Sequence, residues 1–423
     1  MKILIYAHLF PPSKGGMQYQ NLQIVQGLAS LGHDVEAVVC YNQGAGSFVN
    51  GLDFPVHFFP KWHFAQIHSL TGISRLNWVF IPFYLIKIRR ILSKTSPEIV
   101  LVADETSNFF WGFCTRLFRI PYISYCSVPL LALYRKRTDS LFSGGFKHFL
   151  GGIPYALIRK MFKVSYTNSE LVLAVSNSTK NELIKELPEL ADKIFIVPNS
   201  IDDQFFNSKC HLDAVAKLRN VLGVSESHFV MLSVTRLTID KGVDDVIQAL
   251  SGLSPHALDK IRYVVIGEGP AESYLKQLAE DLNLNRQVVF VGGVPHLELM
   301  PYYDLCDFFI LPPRRGSYES FGRVFVEAAA RSKPSIGARE GGMPDVIDDG
   351  RTGFLAIPGD PGSIREKISY LMNHREDLLQ MGKKARRKAE NYFTSRLVAL
   401  QFEKHLKYVI DQHRVRRGGY KEF

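Results

Sequence analysis

Cysteine is scarce in this chain. Its 423 residues include only five cysteines, which are widely spaced and never form a C-x-x-C pair: Cys40, Cys114, Cys126, Cys210 and Cys306. An odd number of scattered cysteines argues against a disulfide framework and predicts a reducing compartment. The same spacing offers no metal site. We therefore expect each thiol to be a small buried apolar side chain rather than a nucleophile.

Long apolar runs are also absent. The longest, residues 78–86, contains Pro82 and ends at Lys87. It is about half of the ~20 residues that a membrane-spanning helix needs. The apolar run at the start covers only residues 3–7, and prolines follow soon after. We therefore expect a first buried strand rather than a signal peptide, and no segment that crosses a membrane.

Acidic residues are rare between residues 59 and 163. This segment holds fifteen Lys and Arg but four acids, a net charge of +11, whereas the other 318 residues carry −1. It is also rich in aromatic residues. A solvated basic face above buried aromatics and a surface that binds anionic lipid both fit this pattern. No helix-turn-helix, RRM or zinc-finger signature accompanies it, so we expect no nucleic-acid partner.

Short apolar runs alternate with helical patterns over the first 200 residues. Leu22, Val25 and Leu28 recur at helical spacing. The predicted strands of this part are 3–7, 34–40, 98–103, 122–126 and 171–176. Such alternation favours βαβ units around a parallel sheet.

A second cycle of the same kind begins after residues 197–206. Its predicted strands are 229–234, 262–266, 287–291, 308–311 and 334–337, and its predicted helices are 243–250, 271–282, 297–305 and 322–331. Residues 364–408 are helical and heavily charged. The predicted domains are 1–198 and 199–390, with a helical segment 391–423 that packs back on the first.

The strongest motif lies within residues 314–331. Glu319 and Glu327 are separated by seven residues, and Gly322 lies between them. If a helix begins near Gly322, its free N–H groups and positive dipole end suit a phosphate. Eight residues of helix would set the two acids ~12 Å apart, roughly the reach from a sugar through a diphosphate to a ribose. By itself the spacing also fits two acids in a surface ion network.

Two cations follow the predicted strand 229–234. Arg236 and Lys241 stand between a strand end and a helix, where a guanidinium fork and a point charge suit a diphosphate. Strand 262–266 then runs into Gly267, where glycine lets a ligand approach the backbone. Either feature alone is also common in a solvated turn.

Several motifs occur in an order that resembles family 4 glycosyltransferases. At the amino-terminal end, residues 11–35 resemble the opening of that family and residues 197–206 resemble its interdomain junction. The C-terminal motifs are Arg236 with Lys241, GEGP at 267–270, FVGGV at 290–294, the Glu319/Glu327 pair, GGMPDVI at 341–347 and GRTGFLA at 350–356. The resemblance covers nearly the whole chain and is loosest over residues 50–170.

This resemblance implies the GT-B fold: an α/β architecture of two doubly wound Rossmann-like domains that face each other across a cleft. It also implies a nucleotide-sugar donor and retention at the anomeric carbon. By motif match, Arg236 and Lys241 would neutralise the leaving diphosphate and, with Glu319, form the catalytic set. Cations and backbone dipoles would meet the charge that develops as the sugar–phosphate bond breaks. No metal or other cofactor is implied, because the two cations supply the neutralisation.

The remaining site residues implied by the resemblance bind the donor. Glu327 would hydrogen-bond the ribose hydroxyls, and the backbone after Glu319 would hold the sugar and phosphate. The donor-binding set is Gly15 and Gly16 from the first domain with Gly267, Ser320, Phe321, Gly322 and Glu327 from the second.

The chain is thus expected to be a retaining glycosyltransferase that moves a sugar from a nucleotide-sugar to a cell-surface glycan or lipid-linked acceptor. The nucleotide-sugar is expected to be a UDP-sugar. A cytoplasmic protein, peripheral on the inner face of the membrane, fits this function. The alternative is a catalytically inactive GT-B binding or scaffold subunit. A phosphorylase-like enzyme would need a cofactor lysine for which no motif is present. A sugar-nucleotide epimerase with catalytic carboxylates in the N-terminal domain is a further alternative, against which the Glu319/Glu327 spacing argues.

Three positions depart from the family pattern. Ser127 stands at about the place where the family usually has a His after the strand matching residues 120–126. Ser200 and Asp345 replace a usual Gly and Glu, and neither change removes a charge. His8, near the end of the first predicted strand, is either a cleft residue or a satisfied structural histidine.

Overall fold

The chain folds into two compact units. The computed structural model describes residues 1–12, 15–40, 48–59, 81–105, 107–133, 135, 155–209, 212–317 and 319–418. The first unit comprises Met1–Ser200 with Ser395–Phe423, and the second comprises Ile201–Thr394.

The first unit is built on a parallel sheet of seven strands in the order β3-β2-β1-β4-β5-β6-β7. The strands are β1 (Lys2–Ala7), β2 (Asp34–Cys40), β3 (Val56–Phe59), β4 (Ile99–Val102), β5 (Tyr122–Cys126), β6 (Leu171–Ala174) and β7 (Ile194–Ile196). The helices are α1 (Gly16–Ser30), α2 (Ile81–Thr95), α3 (Asn108–Leu117), α4 (Tyr155–Asn168) and α5 (Asn177–Glu186), followed by a 3-10 helix, Pro188–Lys193.

The second unit is built on a parallel sheet of six strands in the order β10-β9-β8-β11-β12-β13. The strands are β8 (Phe229–Val234), β9 (Ile261–Ile266), β10 (Val288–Gly292), β11 (Phe308–Ile310), β12 (Ser335–Ala338) and β13 (Gly353–Ala356). The helices are α6 (Gln204–Asn207), α7 (Leu212–Val221), α8 (Val243–Ser251), α9 (Pro255–Asp259), α10 (Glu272–Asp281), α11 (Met300–Leu305), α12 (Arg323–Ala330), α13 (Met343–Val346), α14 (Pro361–Asn373) and α15 (Arg375–Tyr392), with 3-10 helices at Ile239–Lys241 and His296–Leu299.

The final helix, α16 (Ser395–Gly418), belongs to the first unit. Ala399 lies against Gly27 of α1, where an added Cβ would come within 2.9 Å of the alanine methyl. Glu403 pairs with His33 at 2.9 Å, and the Phe402 ring packs edge-on against Tyr125. The final helix is therefore held to the first unit by packing and by a hydrogen bond.

Both sheets are buried, and in each the order of the parallel strands reverses near the centre. The central strand β1 is fully buried from Ile3 to Ala7, as expected for a parallel sheet covered on both faces. The order reverses between β1 and β4 and again between β8 and β11. In open α/β sheets a ligand crevice lies outside the carboxyl ends of the strands at such a switch point. In the second sheet such a crevice would lie at the loops after β8 and β11.

Most predicted elements are confirmed. Strands 34–40, 122–126 and 229–234 have the predicted bounds, and the predicted first strand is present as Lys2–Ala7. The four described cysteines are free and buried; Cys210 lies outside the described residues. Among the described helices, none combines the length and apolar character that crossing a membrane requires.

Three strands were missed, and three predicted helices have different bounds. β3, β7 and β13 lie at sheet edges, where each pairs with a single neighbouring strand and is only partly buried. Residues 297–305 form a 3-10 turn followed by α11, and residues 364–408 contain three helices. The helix expected near Gly322 begins at Arg323, because Gly322 adopts a left-handed conformation that caps it.

Candidate functional site at the carboxyl edge of the second sheet

The turn after β8 carries both predicted cations. Arg236 is exposed, and in the described part of the chain its guanidinium contacts no acidic side chain. Lys241 ends a short 3-10 helix and precedes Gly242, whose φ is 72°. A Cβ on Gly242 would clash with the carbonyl oxygen of Pro312, so glycine is required where this turn meets the loop after β11.

Lys241 and Glu319 form an ion pair. The Lys241 ammonium donates to Glu319 Oε2 at 2.5 Å, and both side chains are about one fifth exposed, 19% and 24%. Burial disfavours the charged amine, but the charge and hydrogen bond of Glu319 raise the pKa of Lys241 above its ordinary value. The structure thus brings together two of the three predicted catalytic residues and keeps the lysine charged.

The loop that holds Glu319 leads into α12 but is not part of it. Because the helix begins at Arg323, the ~12 Å separation expected from continuous helix geometry does not apply to Glu319. Gly342 N donates to the Glu319 carbonyl at 2.9 Å. The Phe321 ring is 2% exposed and packs against Phe393, while Ser320 remains partly exposed. The loop after β11 is therefore fixed through its backbone.

Glu327 is buried in a hydrogen-bonded cluster. Its carboxylate is 2% exposed, and its two oxygens accept hydrogen bonds from His296 Nε2 at 3.0 Å and Tyr303 Oη at 2.9 Å. Burial favours the protonated acid, but the His296 hydrogen bond and the charges of His296 and Arg323 lower the pKa of Glu327 below its ordinary value. His296 and Tyr303 were missed in the sequence, because they lie 31 and 24 residues before Glu327 and no local spacing connects them.

Gly267 lies where the loops after β8 and β9 meet. Its φ is 135°, and a Cβ there would clash with the Thr235 carbonyl oxygen. Gly267 N donates to the Gly292 carbonyl at 2.8 Å. The glycine therefore permits close packing of three strand ends beside Arg236. Its predicted contact with a donor stays a prediction.

Gly15 and Gly16 lie in the first unit. Gly15 has a φ of 149° and precedes α1, which begins at Gly16. Ser127, at the place of the family's histidine, donates to the Met17 sulfur at 3.5 Å and so lies beside the start of the same helix. His8 is 8% exposed and lies 3.1 Å from the Cys40 sulfur, which favours the structural interpretation.

The basic segment contains both buried and exposed aromatic residues. Trp111 is fully buried, whereas Phe83 and Phe113 are 65% and 50% exposed. Arg135 pairs with the buried carboxylate of Glu186 at 2.7 Å. Lys136, Arg137 and residues 60–80 lie outside the described residues. The buried Trp111 thus fits a solvated basic face above buried aromatics, and the exposed Phe83 and Phe113 fit a surface that binds lipid.

No metal cluster is evident in the described ranges, where no three or more His, Cys, Asp and Glu side chains lie together in a way that could hold an ion.

Comparisons with known proteins cover almost the whole chain. The family model described as Glycosyltransferase Family 4 matches residues 14–205, and the model described as Glycosyl transferases group 1 matches residues 215–388. N-acetyl-alpha-D-glucosaminyl L-malate synthase of Bacillus anthracis is 30% identical over 378 residues, 86% of this chain and 94% of the relative. A GDP-mannose-dependent alpha-(1-6)-phosphatidylinositol monomannoside mannosyltransferase of Mycobacterium tuberculosis is 27% identical over 391 residues, 90% of this chain and 91% of the relative.

Solved structures agree on the architecture. A glycosyltransferase from Rickettsia africae superposes with a TM-score of 0.77 at 19% identity, covering 97% of this chain and 99% of the other. HepE of Anabaena, solved in complex with UDP, superposes with a TM-score of 0.74 at 19% identity, covering 96% and 100%. This likeness shows the GT-B fold. Together with the sequence relatives, it makes the chain a glycosyltransferase, and the chain belongs to glycosyltransferase family 4.

Proposed function

We propose that this enzyme is a retaining glycosyltransferase that takes a sugar from a UDP-sugar. The observation that carries the proposal is the arrangement at the β8/β11 switch point, where Lys241 pairs with Glu319 and Arg236 stays exposed beside them. A diphosphate in this crevice would meet a free guanidinium and an ammonium that is already charged. The UDP in the HepE complex supports the choice of base, while the mannosyltransferase relatives are named for GDP-mannose.

The proposed chemistry is electrostatic. As the sugar–phosphate bond breaks, negative charge grows on the leaving diphosphate, and preorganised cations stabilise that charge more than they stabilise the ground state. The Lys241 side chain is largely buried, so its interaction with that charge is screened less than at an open surface. Arg236 and Lys241 would supply this neutralisation without a metal ion.

The test uses Arg236→Ala and Lys241→Ala. We expect turnover to fall ~10²-fold or more in each, the scale for losing one preorganised charge partner. Thermal shifts with UDP, GDP, ADP and their sugars first identify the nucleotide, because a bound ligand stabilises the fold by RT ln(1 + [L]/Kd). Donor hydrolysis with and without acceptor extract then gives turnover, and proton NMR of the product gives the anomeric configuration.

A matched control is Lys367→Ala, which removes a cation paired with Glu366 on α14. Its turnover should equal that of the wild type. Near-normal turnover in both Arg236→Ala and Lys241→Ala would contradict the proposed role of these cations.

We further propose a lipid-linked acceptor and peripheral binding at the inner face of the cell membrane. Helices α2 and α4 pack on either side of α3, and together the three carry eight Lys and Arg and no acid. Their exposed basic and large apolar side chains, here called the basic helix face, are Phe83, Ile86, Arg89, Arg90, Lys94, Phe113, Arg116, Leu117, Leu157, Lys160, Lys163 and Val164. Cations beside exposed apolar side chains suit an anionic bilayer. The phosphatidylinositol acceptor in the mannosyltransferase's name supports the same choice.

The membrane proposal is tested by replacing Arg89, Arg90 and Lys94 with Ser. Each contributes about 1 kcal/mol at an anionic surface, so vesicle affinity should fall by about two decades. Arg135 is unsuitable because it neutralises buried Glu186. Co-sedimentation with phosphatidylglycerol vesicles at low and high salt measures the effect.

The control for that experiment is a triple Ser variant at Lys383, Lys384 and Arg387, which are exposed on α15 of the second unit. It removes the same charge and should leave vesicle affinity unchanged. Equal losses in the two variants, or equal binding to neutral and anionic vesicles, would contradict a role for the basic helix face.

A further inference from the structure

Arg314 lies in the loop after β11 and binds two neighbouring acids of α8. Its Nε and Nη2 donate to the two oxygens of Asp245 at 2.8 and 2.6 Å, and Nη2 also donates to Asp244 Oδ2 at 2.8 Å. Asp244 and Asp245 are each 2% exposed. A guanidinium is the side chain that can bind two carboxylates in one plane, because its donors form a fixed fork.

The same residue is tied to the turn that carries Lys241. Arg314 N donates to the Asp240 carbonyl at 2.9 Å, directly before Lys241. On the other side of Lys241, Gly242 lies against the Pro312 carbonyl so closely that no Cβ fits. The turn is therefore held to the loop after β11 at the residue before Lys241 and at the residue after it.

The two aspartates need this cation. They are adjacent in the chain, buried at the start of α8, and would repel each other without Arg314. Burial raises the pKa of Asp244 even with Arg314 present. Lys241 lies three residues before Asp244. Without Arg314, two uncompensated carboxylates would remain at the start of α8, directly after the Lys241 turn, and the side-chain tie between α8 and the loop after β11 would be lost.

We propose that Arg314 is a positioning residue that holds the Lys241 ammonium toward Glu319 and the donor diphosphate. It does so by neutralising Asp244 and Asp245 and by fixing the Lys241 turn against the loop after β11. Arg314 itself touches neither phosphate nor sugar in this proposal. The inference rests on the proposed role of Lys241 in binding the diphosphate.

The experiment measures the preference for a diphosphate over a monophosphate. Dissociation constants of UDP and UMP, or of GDP and GMP if guanine nucleotides are those that stabilise the fold, are determined by calorimetry. The proteins are the wild type, Lys241→Ala, Arg314→Gln, Arg314→Lys and the double variant Lys241→Ala/Arg314→Gln. The ratio of the two constants isolates the second phosphate, since base and ribose contacts cancel.

We expect Lys241→Ala and Arg314→Gln each to lower the preference about tenfold, which is ~1.4 kcal/mol. Arg314→Lys, which keeps the charge but loses the fork, should recover part of it. In the Lys241→Ala background, Arg314→Gln should cause no further loss, because the residue acts through Lys241. A purely structural role would not produce this non-additivity.

Arg331→Gln is the matched control. Arg331 makes a similar two-pronged contact with buried Asp304, at 2.7 and 2.9 Å, away from the Lys241 turn. It should lower the unfolding temperature and leave the diphosphate preference unchanged. The inference would be overturned if Arg314→Gln kept the wild-type preference for the diphosphate. It would also be overturned if Arg314→Gln lowered this preference in the Lys241→Ala background as much as it does alone. Wild-type preference in Lys241→Ala, or no preference in the wild type, would instead overturn the proposed role of Lys241 and this inference with it.

Discussion

Replacing Glu327 by Ala should weaken donor binding and destabilise the second unit at the same time. The variant removes the Glu327 contact of the His296 ring nitrogen and the near acceptor of the fully buried Tyr303 hydroxyl, which keeps a contact of 3.5 Å with the Val324 carbonyl. An unsatisfied buried donor costs about 1–3 kcal/mol, so the free energy of unfolding should fall by roughly 2–6 kcal/mol. For a unit of this size, 1 kcal/mol lowers the unfolding temperature by about 2–4 °C. A fall of roughly 4–24 °C follows, with a centre near ~12 °C.

The effect on the donor should appear in KM. Ribose contacts act equally in the ground state and the transition state, so the donor KM should rise with kcat changed much less. Differential scanning fluorimetry and donor kinetics, run well below the lowered unfolding temperature, measure the two effects separately. Above that temperature part of the variant would be unfolded, and the kinetic constants would no longer describe the folded enzyme alone.

Tyr303→Phe is the control that separates stability from binding. It removes one hydrogen bond to Glu327 Oε2 and keeps the carboxylate. We expect a smaller fall in unfolding temperature and an unchanged donor KM. An unfolding temperature of Glu327→Ala within 2 °C of the wild type would refute the burial argument. An equal rise in KM for both variants would refute the ribose contact, and a large fall in kcat at constant KM would give Glu327 a part in the chemistry.

Two further predictions concern Glu105 and Gly267. Burial raises the pKa of Glu105 from 4.5 to about 7. As the pH rises, the unfolded chain therefore loses this proton before the folded chain does. The free energy of unfolding should fall by about 3 kcal/mol between pH 4.5 and 7. Glu105→Gln should abolish that fall in urea unfolding at pH 5 and 8, whereas exposed Glu366→Gln should not; an unchanged slope in Glu105→Gln would contradict the shift. Gly267→Ala should lower turnover ~10²-fold because its Cβ would displace the Thr235 carbonyl beside Arg236, whereas Gly350→Ala, with a positive φ but open space, should not; equal turnover in both would contradict it.

Much of the fold follows from local patterns. Parallel strands buried on both faces show as largely apolar runs, which is why a strand such as Tyr122–Cys126 could be predicted with its bounds. β3 and β13 lie at the sheet edges and each pairs with a single neighbouring strand. β13 also begins with Gly353, whose φ of 157° brings it against Ser335. Their pairing depends on the neighbouring strand rather than on their own sequence.

The site also has residues that local sequence patterns predict and contacts that they do not. Arg236 and Lys241 could be found because charged residues directly after a strand lie at the ligand edge of a parallel sheet. The pairs that hold them could not, since Arg314 lies about seventy residues from its aspartates, 70 from Asp244 and 69 from Asp245. Likewise, the predicted helix start near Gly322 is confirmed to within one residue, but the left-handed conformation of Gly322 that sets this boundary was not predicted. Tertiary contacts between strand ends decide these points.

The carboxyl edge of the second sheet pairs its polar side chains before any donor arrives. Lys241 binds Glu319, Arg314 binds two aspartates, and His296 binds Glu327, while Arg236 alone of these basic side chains has no acidic partner among the described residues. In the proposed function a diphosphate would therefore meet Arg236 first and would share Lys241 with Glu319. Part of the attraction to Lys241 is offset in the ground state by the Glu319 contact. As charge grows on the leaving diphosphate, the balance shifts toward the phosphate, so the lysine contributes more to the transition state than to substrate binding.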